Sequence, residues 1–248
     1  MSRRVLPALV VSAVLTLASC GGSDQSAGTG ATPATTAPTA GTVTGNRVVP
    51  PLPVGDLVFT DHSAEPTPAP FPLKAAPGEL LVLYFGYLSC PDICPTTMSD
   101  ISTAVKRLPP EDRARVEVAM VTIDPERDSG EKMAGFVDYF VPDGDGHGLV
   151  APNDSTLWSA TSRIGVEYQV DPHQPGAATY GVAHTGFQYV VDDQGNLIWA
   201  WPYGVPGQDL AATLTALLNG TAPTEGPTIT SSPTTGVSTT TTTRPLRP

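Results

Sequence analysis

Basic residues are scarce in this 248-residue chain: 13 Lys and Arg stand against 24 Asp and Glu, a formal charge of −11. After the Arg3-Arg4 pair they form no block. That excludes a general nucleic-acid binder, which needs clustered Lys or Arg against phosphate. The acidic surplus is accounted for by solubility. No apolar run reaches the roughly 20 residues a permanent bilayer-spanning helix requires. No repeat at a solenoid period is visible. Cysteine is rarer than any of these, with three in the whole chain.

What is abundant is Pro (27) and Gly (24), crowded with Thr and Ala toward the two ends, so the foldable part is shorter than the chain and one domain is expected. Arg3 and Arg4 precede an apolar stretch from Val5 to Leu17, about 13 residues, which ends in Leu17-Ala18-Ser19-Cys20. This is the plan of a secretory signal peptide over residues 1–19. Its last four residues resemble the bacterial lipobox, which implies that Cys20 carries a lipid and holds the protein on the extracytoplasmic face of the cell membrane. Residues 20–45 lack large apolar side chains and read as a disordered tether, and 221–248, with its run Thr239–Thr243, has the same character. The domain is expected at 46–220.

Within it, Glu79–Tyr87 is a continuous apolar run between Pro-rich turns, as in a central strand covered on both faces. After Pro95, Met98, Ile101, Val105 and Leu108 recur at helical spacing, with Thr96 or Thr97 available as N-cap. Arg115–Ile123 is a second buried strand ended by Asp124-Pro125. Met133, Phe136, Val137 and Phe140 mark the next helix, with Asp128 and Glu131 spaced as a capping box. The glycine-rich segment Asp143–Gly148 reads as a surface turn. It leads to a short helix carrying Leu157, Trp158, Thr161 and Ile164, and then to a strand near Val166–Val170. Gly186–Val191 and Asn196–Trp201 flank Asp192-Asp193-Gln194-Gly195 as a hairpin, and Leu210, Leu214, Leu217 and Leu218 form a closing helix ended by Asn219-Gly220. Strands alternating with helices, then a hairpin and a helix, indicate an α/β sandwich with a mixed sheet. A thioredoxin-like three-layer arrangement has this order, as do other α/β folds.

With Cys20 lipidated, the domain holds two cysteines, in Ser89-Cys90-Pro91-Asp92-Ile93-Cys94-Pro95. A disulfide between them would close too small a loop to constrain the unfolded chain much. Set between a strand and a helix N-terminus, both sulfurs lie where the helix dipole favours thiolates, the form that binds metal or attacks disulfides. Both uses stay open. Three intervening residues leave more room for a metal than the two of thioredoxin-type redox catalysts. Two thiolates suit Cu(I), and one imidazole would complete a set that accepts either copper oxidation state. Of the four histidines, His184 stands just before the hairpin, at an edge where the fold can bring it to the Cys loop, and is the candidate third ligand. His62, His147 and His173 read as exposed loop residues. Trp199, Trp201 and Tyr203 offer either a partner-docking patch or a strand packed on the closing helix.

Taken in order, Tyr84-Phe85-Gly86-Tyr87, Cys90-Pro91-Asp92-Ile93-Cys94-Pro95, Val121-Thr122-Ile123-Asp124-Pro125-Glu126-Arg127-Asp128 and His184-Thr185 resemble the SCO/SenC family of copper chaperones, over roughly Gly55 to Leu218. The resemblance implies a thioredoxin-like fold, one copper ion held by Cys90, Cys94 and His184, and delivery of copper to the copper-A centre of cytochrome c oxidase, with no catalytic turnover required. Reduction of partner cysteines by Cys90 and Cys94 is the alternative. Asp124 and Arg127 match the family's Asp-Pro-x-Arg-Asp segment and stand outside the ligand set. Two departures from the family pattern are Ala183, where an Asp is common, and the acidic glycine-rich loop at Asp143–Gly148.

Overall fold

The computed structural model describes residues 41–64, 66–142 and 145–231. The expected signal segment, Cys20, the tether up to residue 40 and the run Thr239–Thr243 lie outside the described residues. No described helix is long and apolar enough to cross a membrane.

The chain enters through three short strands, β1 (Asn46–Pro53), β2 (Val58–Asp61) and β3 (Ala69–Pro72), and then forms β4 (Leu80–Gly86), α1 (Ile93–Arg107), the single turn α2 (Pro110–Arg113), β5 (Val116–Thr122), α3 (Gly130–Phe140), β6 (Gly146–Val150) and α4 (Asp154–Ile164). A small hairpin of β7 (Tyr168–Val170) and β8 (Val182–His184) follows. The chain closes with β9 (Gln188–Val191), β10 (Asn196–Trp201), α5 (Gly207–Leu218) and β11 (Thr228–Thr230). Nine strands form one mixed sheet in the order β11-β1-β10-β9-β4-β5-β6-β2-β3, and β7 and β8 pair only with each other. This is the expected thioredoxin-like α/β sandwich with a mixed sheet.

β4 lies between β9, antiparallel, and β5, parallel. All seven of its residues are buried, which requires cover on both faces and explains why the run lacks alternation. Burial is its main support: each Leu, Val or Phe so enclosed contributes about 1.5–3 kcal/mol, against about 1 kcal/mol net for a ladder hydrogen bond. The hairpin closes through Asp192, whose carboxylate accepts from the N–H of Gln194 (2.9 Å) and Asn196 (2.8 Å), while Gly195 takes a positive φ of 77°. Trp199 and Trp201 are buried, and both indole N–H groups donate to the Thr44 carbonyl, at 2.9 and 3.0 Å. They are therefore core residues and not a docking patch. Tyr203, 45 % exposed, is the one of the three left at the surface.

Several expectations need correction. Helix α1 begins at Ile93 and not after Pro95, so Cys94 stands in its first turn, and neither Thr96 nor Thr97 caps it. Proline is tolerated there because its missing N–H is one the first turn leaves unpaired. Asp128 is no N-cap of α3; that position is Ser129, and Asp128 is buried elsewhere in the fold. Part of the glycine-rich segment, Gly146–Val150, is a strand of the main sheet, made possible because Gly148 packs against the backbone of Met133 and Ala134, where a Cβ would stand 2.5 Å from the Ala134 nitrogen. Trp158 is 65 % exposed and lies off the buried stripe of α4. The strand near Val166–Val170 belongs to the separate hairpin. Two contacts lie beyond residues 46–220: Thr42 donates its N–H to Asp209 (2.8 Å), and β11 runs parallel to β1.

Helices α1 and α5 meet at Gly207, where a Cβ would stand 2.5 Å from the Asp100 carbonyl oxygen and 2.7 Å from the Thr103 Cβ. Gly207→Ala is expected to destabilise the protein by about 1–3 kcal/mol, the usual cost of overpacking. Chemical denaturation of both forms measures it.

Candidate metal centre

β4 ends at Gly86, and the chain turns through Tyr87–Asp92 into α1, so the two cysteines flank the passage from a central strand to a helix N-terminus. Cys90 and Cys94 are free thiols, 8 % and 0 % exposed. The Cys94 N–H, in the first turn of α1, donates to the Cys90 sulfur at 3.3 Å, so an N–H that the helix cannot use itself is spent on one candidate ligand. His184, half-buried at the end of β8, brings its Nε2 to 3.5 Å from the Cys94 sulfur. The ligand atoms of Cys90, Cys94 and His184 all lie within 4.8 Å of one another. The structure thus brings together the three residues chosen from the sequence.

Their hydrogen bonds fix protonation. His184 Nδ1 lies 2.9 Å from the Thr185 carbonyl oxygen, which can only accept, so Nδ1 carries the proton. Nε2 is left with its lone pair toward the cysteine. Burial also holds the imidazolium form down, below the usual histidine range, so the ring is neutral at pH 7 and ready to ligate. Burial pushes the Cys94 thiol up to about 12, although the hydrogen bond from Tyr84 opposes this. Tyr84 O–H donates to the Cys94 sulfur at 3.3 Å, and burial raises the Tyr84 phenol as well. One line of polar groups therefore runs Tyr84, Cys94, His184, Thr185 through an apolar surround. Tyr87 meets the His184 ring edge-on, with centroids 5.8 Å apart.

Sequence reading named Tyr84 and Gly86 only as part of the family motif and gave them no role at the site, because inside an apolar strand they look like core. The signal was there: a hydroxyl carried by a continuously buried run needs a partner. Gly86 makes room, since a Cβ on it would stand 3.0 Å from the Cys94 sulfur and 2.8 Å from the Tyr84 ring.

The other histidines are placed elsewhere. His147 is not an exposed loop residue: it sits on β6, half-buried, with Nδ1 2.8 Å from Asp61 and its ring against Phe71. His173 also differs from expectation, being held by Glu126 at 2.9 Å and stacked on Tyr180. His62 is half-buried beside Gly130. Asp124 and Arg127 pair with each other at 2.5 Å and are not among the clustered ligand atoms. Ala183 is exposed. The His184 ring is oriented by a backbone carbonyl, the outer contact that a ligating histidine needs.

Two outcomes follow from this geometry. Because burial pushes the folded Cys94 thiol up to about 12 from the ordinary thiol value of 9.0, its contribution to stability is full below about pH 9 and is lost as pH rises through 12. Metal-free protein should lose stability across that window, and Cys94→Ser should flatten the loss, as followed by denaturation at a series of pH values. Gly86→Ala should displace the Cys94 sulfur and lower affinity for a thiophilic metal ion by about 10–100-fold, the range seen when an outer partner of a ligand is removed; competition against a chelator checks it.

The pattern of the SCO1/SenC family matches residues 60–219. The apo Sco1 protein of Thermus thermophilus superposes with a TM-score of 0.58 at 30% identity, covering 70% of this chain and 95% of that one. Yeast Sco1 with copper bound superposes at 0.59 and 21% identity, over 71% of this chain and 92% of that one, a likeness of fold. A protein of Stutzerimonas stutzeri described as a candidate copper-binding protein is 29% identical over 128 residues, 52% of this chain and 60% of its own length. The SCO2-like protein of Rickettsia prowazekii is 29% identical over 118 residues, 48% of this chain and 56% of its own. These matches span less than two thirds of the curated relatives' length. Since the matched stretch runs from within β2 through the end of α5 and carries the two thiols and the imidazole in one cluster, the chain belongs to the SCO1/SenC family.

Proposed function

We propose that this protein binds one copper ion through Cys90, Cys94 and His184 and passes it by ligand exchange to a copper-accepting protein, the copper-A subunit of cytochrome c oxidase. The observation that carries the reading is the convergence of two sulfurs and one lone-pair nitrogen within 4.8 Å. Copper is cargo here. Soft thiolates suit Cu(I), and the imidazole lets the same set accept Cu(II). Lipidation of Cys20 on the extracytoplasmic face would place the exchange at the membrane, where an oxidase presents its acceptor; the apolar leader ending at that residue supports this.

The thiol–disulfide alternative is less well served. In it Cys90 attacks a partner's disulfide and Cys94 resolves it, and exchange needs an accessible attacking thiolate, whereas Cys90 is only 8 % exposed. A metal ion overcomes that burial by taking the place of the proton.

The test is copper stoichiometry and ligand identity on the full chain in detergent, reduced and anaerobic, beside Cys90→Ala, Cys94→Ala and His184→Ala. Wild type is expected to bind one copper with two sulfur neighbours and one nitrogen by X-ray absorption. Each variant should lose its own scatterer and drop in affinity by more than about tenfold. Binding at pH 7 should also release the Cys94 proton, seen by calorimetry in buffers of different ionisation enthalpy. Copper bound weakly and indifferently to all three changes would overturn the reading.

A further inference from the structure

The two sulfurs and the imidazole do not share a scaffold. Cys90 and Cys94 flank the junction of a central strand with α1, whereas His184 ends a two-stranded hairpin that forms no ladder with the main sheet. Backbone bonds such as Asp171 N–H to the Gly181 carbonyl and Thr185 N–H to the Glu167 carbonyl, each 2.9 Å, tie that hairpin only to itself.

Beside the apolar packing of Val182, Tyr168 and Val170 against the core, a set of polar side chains from the turn after β5 fastens it to the body. Arg127 donates through Nη1 to the Tyr180 carbonyl at 3.0 Å, and its guanidinium carbon lies 3.6 Å over the Tyr180 ring. Tyr180 O–H donates to Asp124 at 2.5 Å, the same carboxylate that pairs with Arg127. The other face of Tyr180 is covered by His173, 3.6 Å away and nearly parallel at 9°. His173 in turn has Nε2 2.9 Å from Glu126 and Nδ1 2.7 Å from the Asp171 carbonyl, and Glu126 also accepts from the Gly176 N–H at 2.7 Å. Each of these bonds from Tyr180, His173 and Gly176 to the body ends on the segment 124–127. Tyr180 stands four residues before His184, on the strand side of the loop.

The same turn holds the cysteine side. Asp128, 2 % exposed, accepts from Thr122 O–H at 2.7 Å and from the Leu88 N–H at 3.0 Å, two residues before Cys90. Arg127 also lies 5.7 Å from the ring of Tyr87, which meets His184 edge-on. One turn therefore reaches both halves of the centre.

We propose that Arg127, Tyr180 and His173 form a latch that positions His184 against the Cys90–Cys94 loop, so that opening the latch withdraws the imidazole and releases the metal from the two sulfurs. This rests on the copper reading above. The three are positioning residues and touch no metal. Aromatic stacking with a guanidinium suits the purpose, because it has a defined geometry at the edge of the core.

The experiment uses the full chain in detergent, loaded anaerobically with one Cu(I), and follows release to bathocuproine disulfonate for wild type, Tyr180→Leu, Tyr180→Phe, Arg127→Met, His173→Gln and His184→Ala. Hydrogen exchange on the metal-free proteins and the nitrogen hyperfine pattern of the Cu(II)-loaded forms are recorded beside it. Tyr180→Leu and Arg127→Met should release copper about tenfold faster or more, weaken the nitrogen pattern toward that of His184→Ala, and raise exchange only within 167–187 and at the 124–128 turn. Tyr180→Phe keeps the stack and should stay closer to wild type than Tyr180→Leu. His173→Gln, which removes the outer face alone, should accelerate release less than Arg127→Met; because it leaves the core intact, it decides the matter should either inner variant unfold. Wild-type release and exchange in these variants, with His184→Ala still fast, would overturn the latch and leave the copper site standing. If His184→Ala itself behaves as wild type, the copper site falls, and the latch's role with it.

Discussion

The enclosure of β4 is the constraint from which the rest of the centre takes its shape. A strand buried at all seven positions cannot shift register without moving apolar side chains on both faces, so its C-terminal end is a fixed point. Gly86, at that end, gives the Cys94 sulfur its room, and Tyr84, two residues earlier, supplies the hydroxyl that the sulfur accepts from. The metal centre is thus a continuation of the core into its polar edge. Its sulfurs are held as tightly as the strand is.

Burial on this scale has a chemical consequence. A thiol withdrawn from water keeps its proton, as the rise of Cys94 to about 12 indicates, and an imidazole withdrawn from water loses it. The two effects run in opposite directions on the pH scale, yet they produce one state at neutral pH: an uncharged thiol beside an uncharged imidazole, linked at 3.5 Å. That pair buries no charge, which avoids the several kcal/mol per ion that an unpaired charge would cost. A soft cation changes the balance, because it supplies the positive charge that thiolates need in a low-dielectric site. The acidity of the centre therefore changes when a soft metal ion binds.

Much of this was legible in the residues, and the limits of legibility have physical causes. The Cys-x₃-Cys spacing, the position of His184 before a hairpin, and the apolar runs that became β4 and β5 all carry local signals, and they picked out three residues that the fold brings together. What failed were features whose cause lies far away in sequence. Pro-rich β1 and β3 went unassigned because proline weakens any strand signal; they are strands because β10 and β2 offer edges to pair with. Asp143–Gly148 looked like a turn because glycine is the usual turn residue, whereas from Gly146 the chain is strand and Gly148 admits a helix at close range. Asp128 followed the spacing of a cap and became instead an acceptor for Leu88 and Thr122, a role that no window around it could reveal.

The division of the centre between two scaffolds bears on how a carrier can hold a metal firmly and still give it up. If all three donors stood on the main sheet, releasing one would require deforming packed structure, and interiors at crystal-like density resist small displacements. With two sulfurs on the fixed strand-to-helix junction and the nitrogen on a hairpin outside the sheet, one donor can leave while the other two stay. A two-sulfur site with an open position is what an incoming ligand needs in order to begin exchange. Under the proposed latch, the strength of holding depends on all three groups and the ease of release on the hairpin's attachment, so the two properties can be set by different residues.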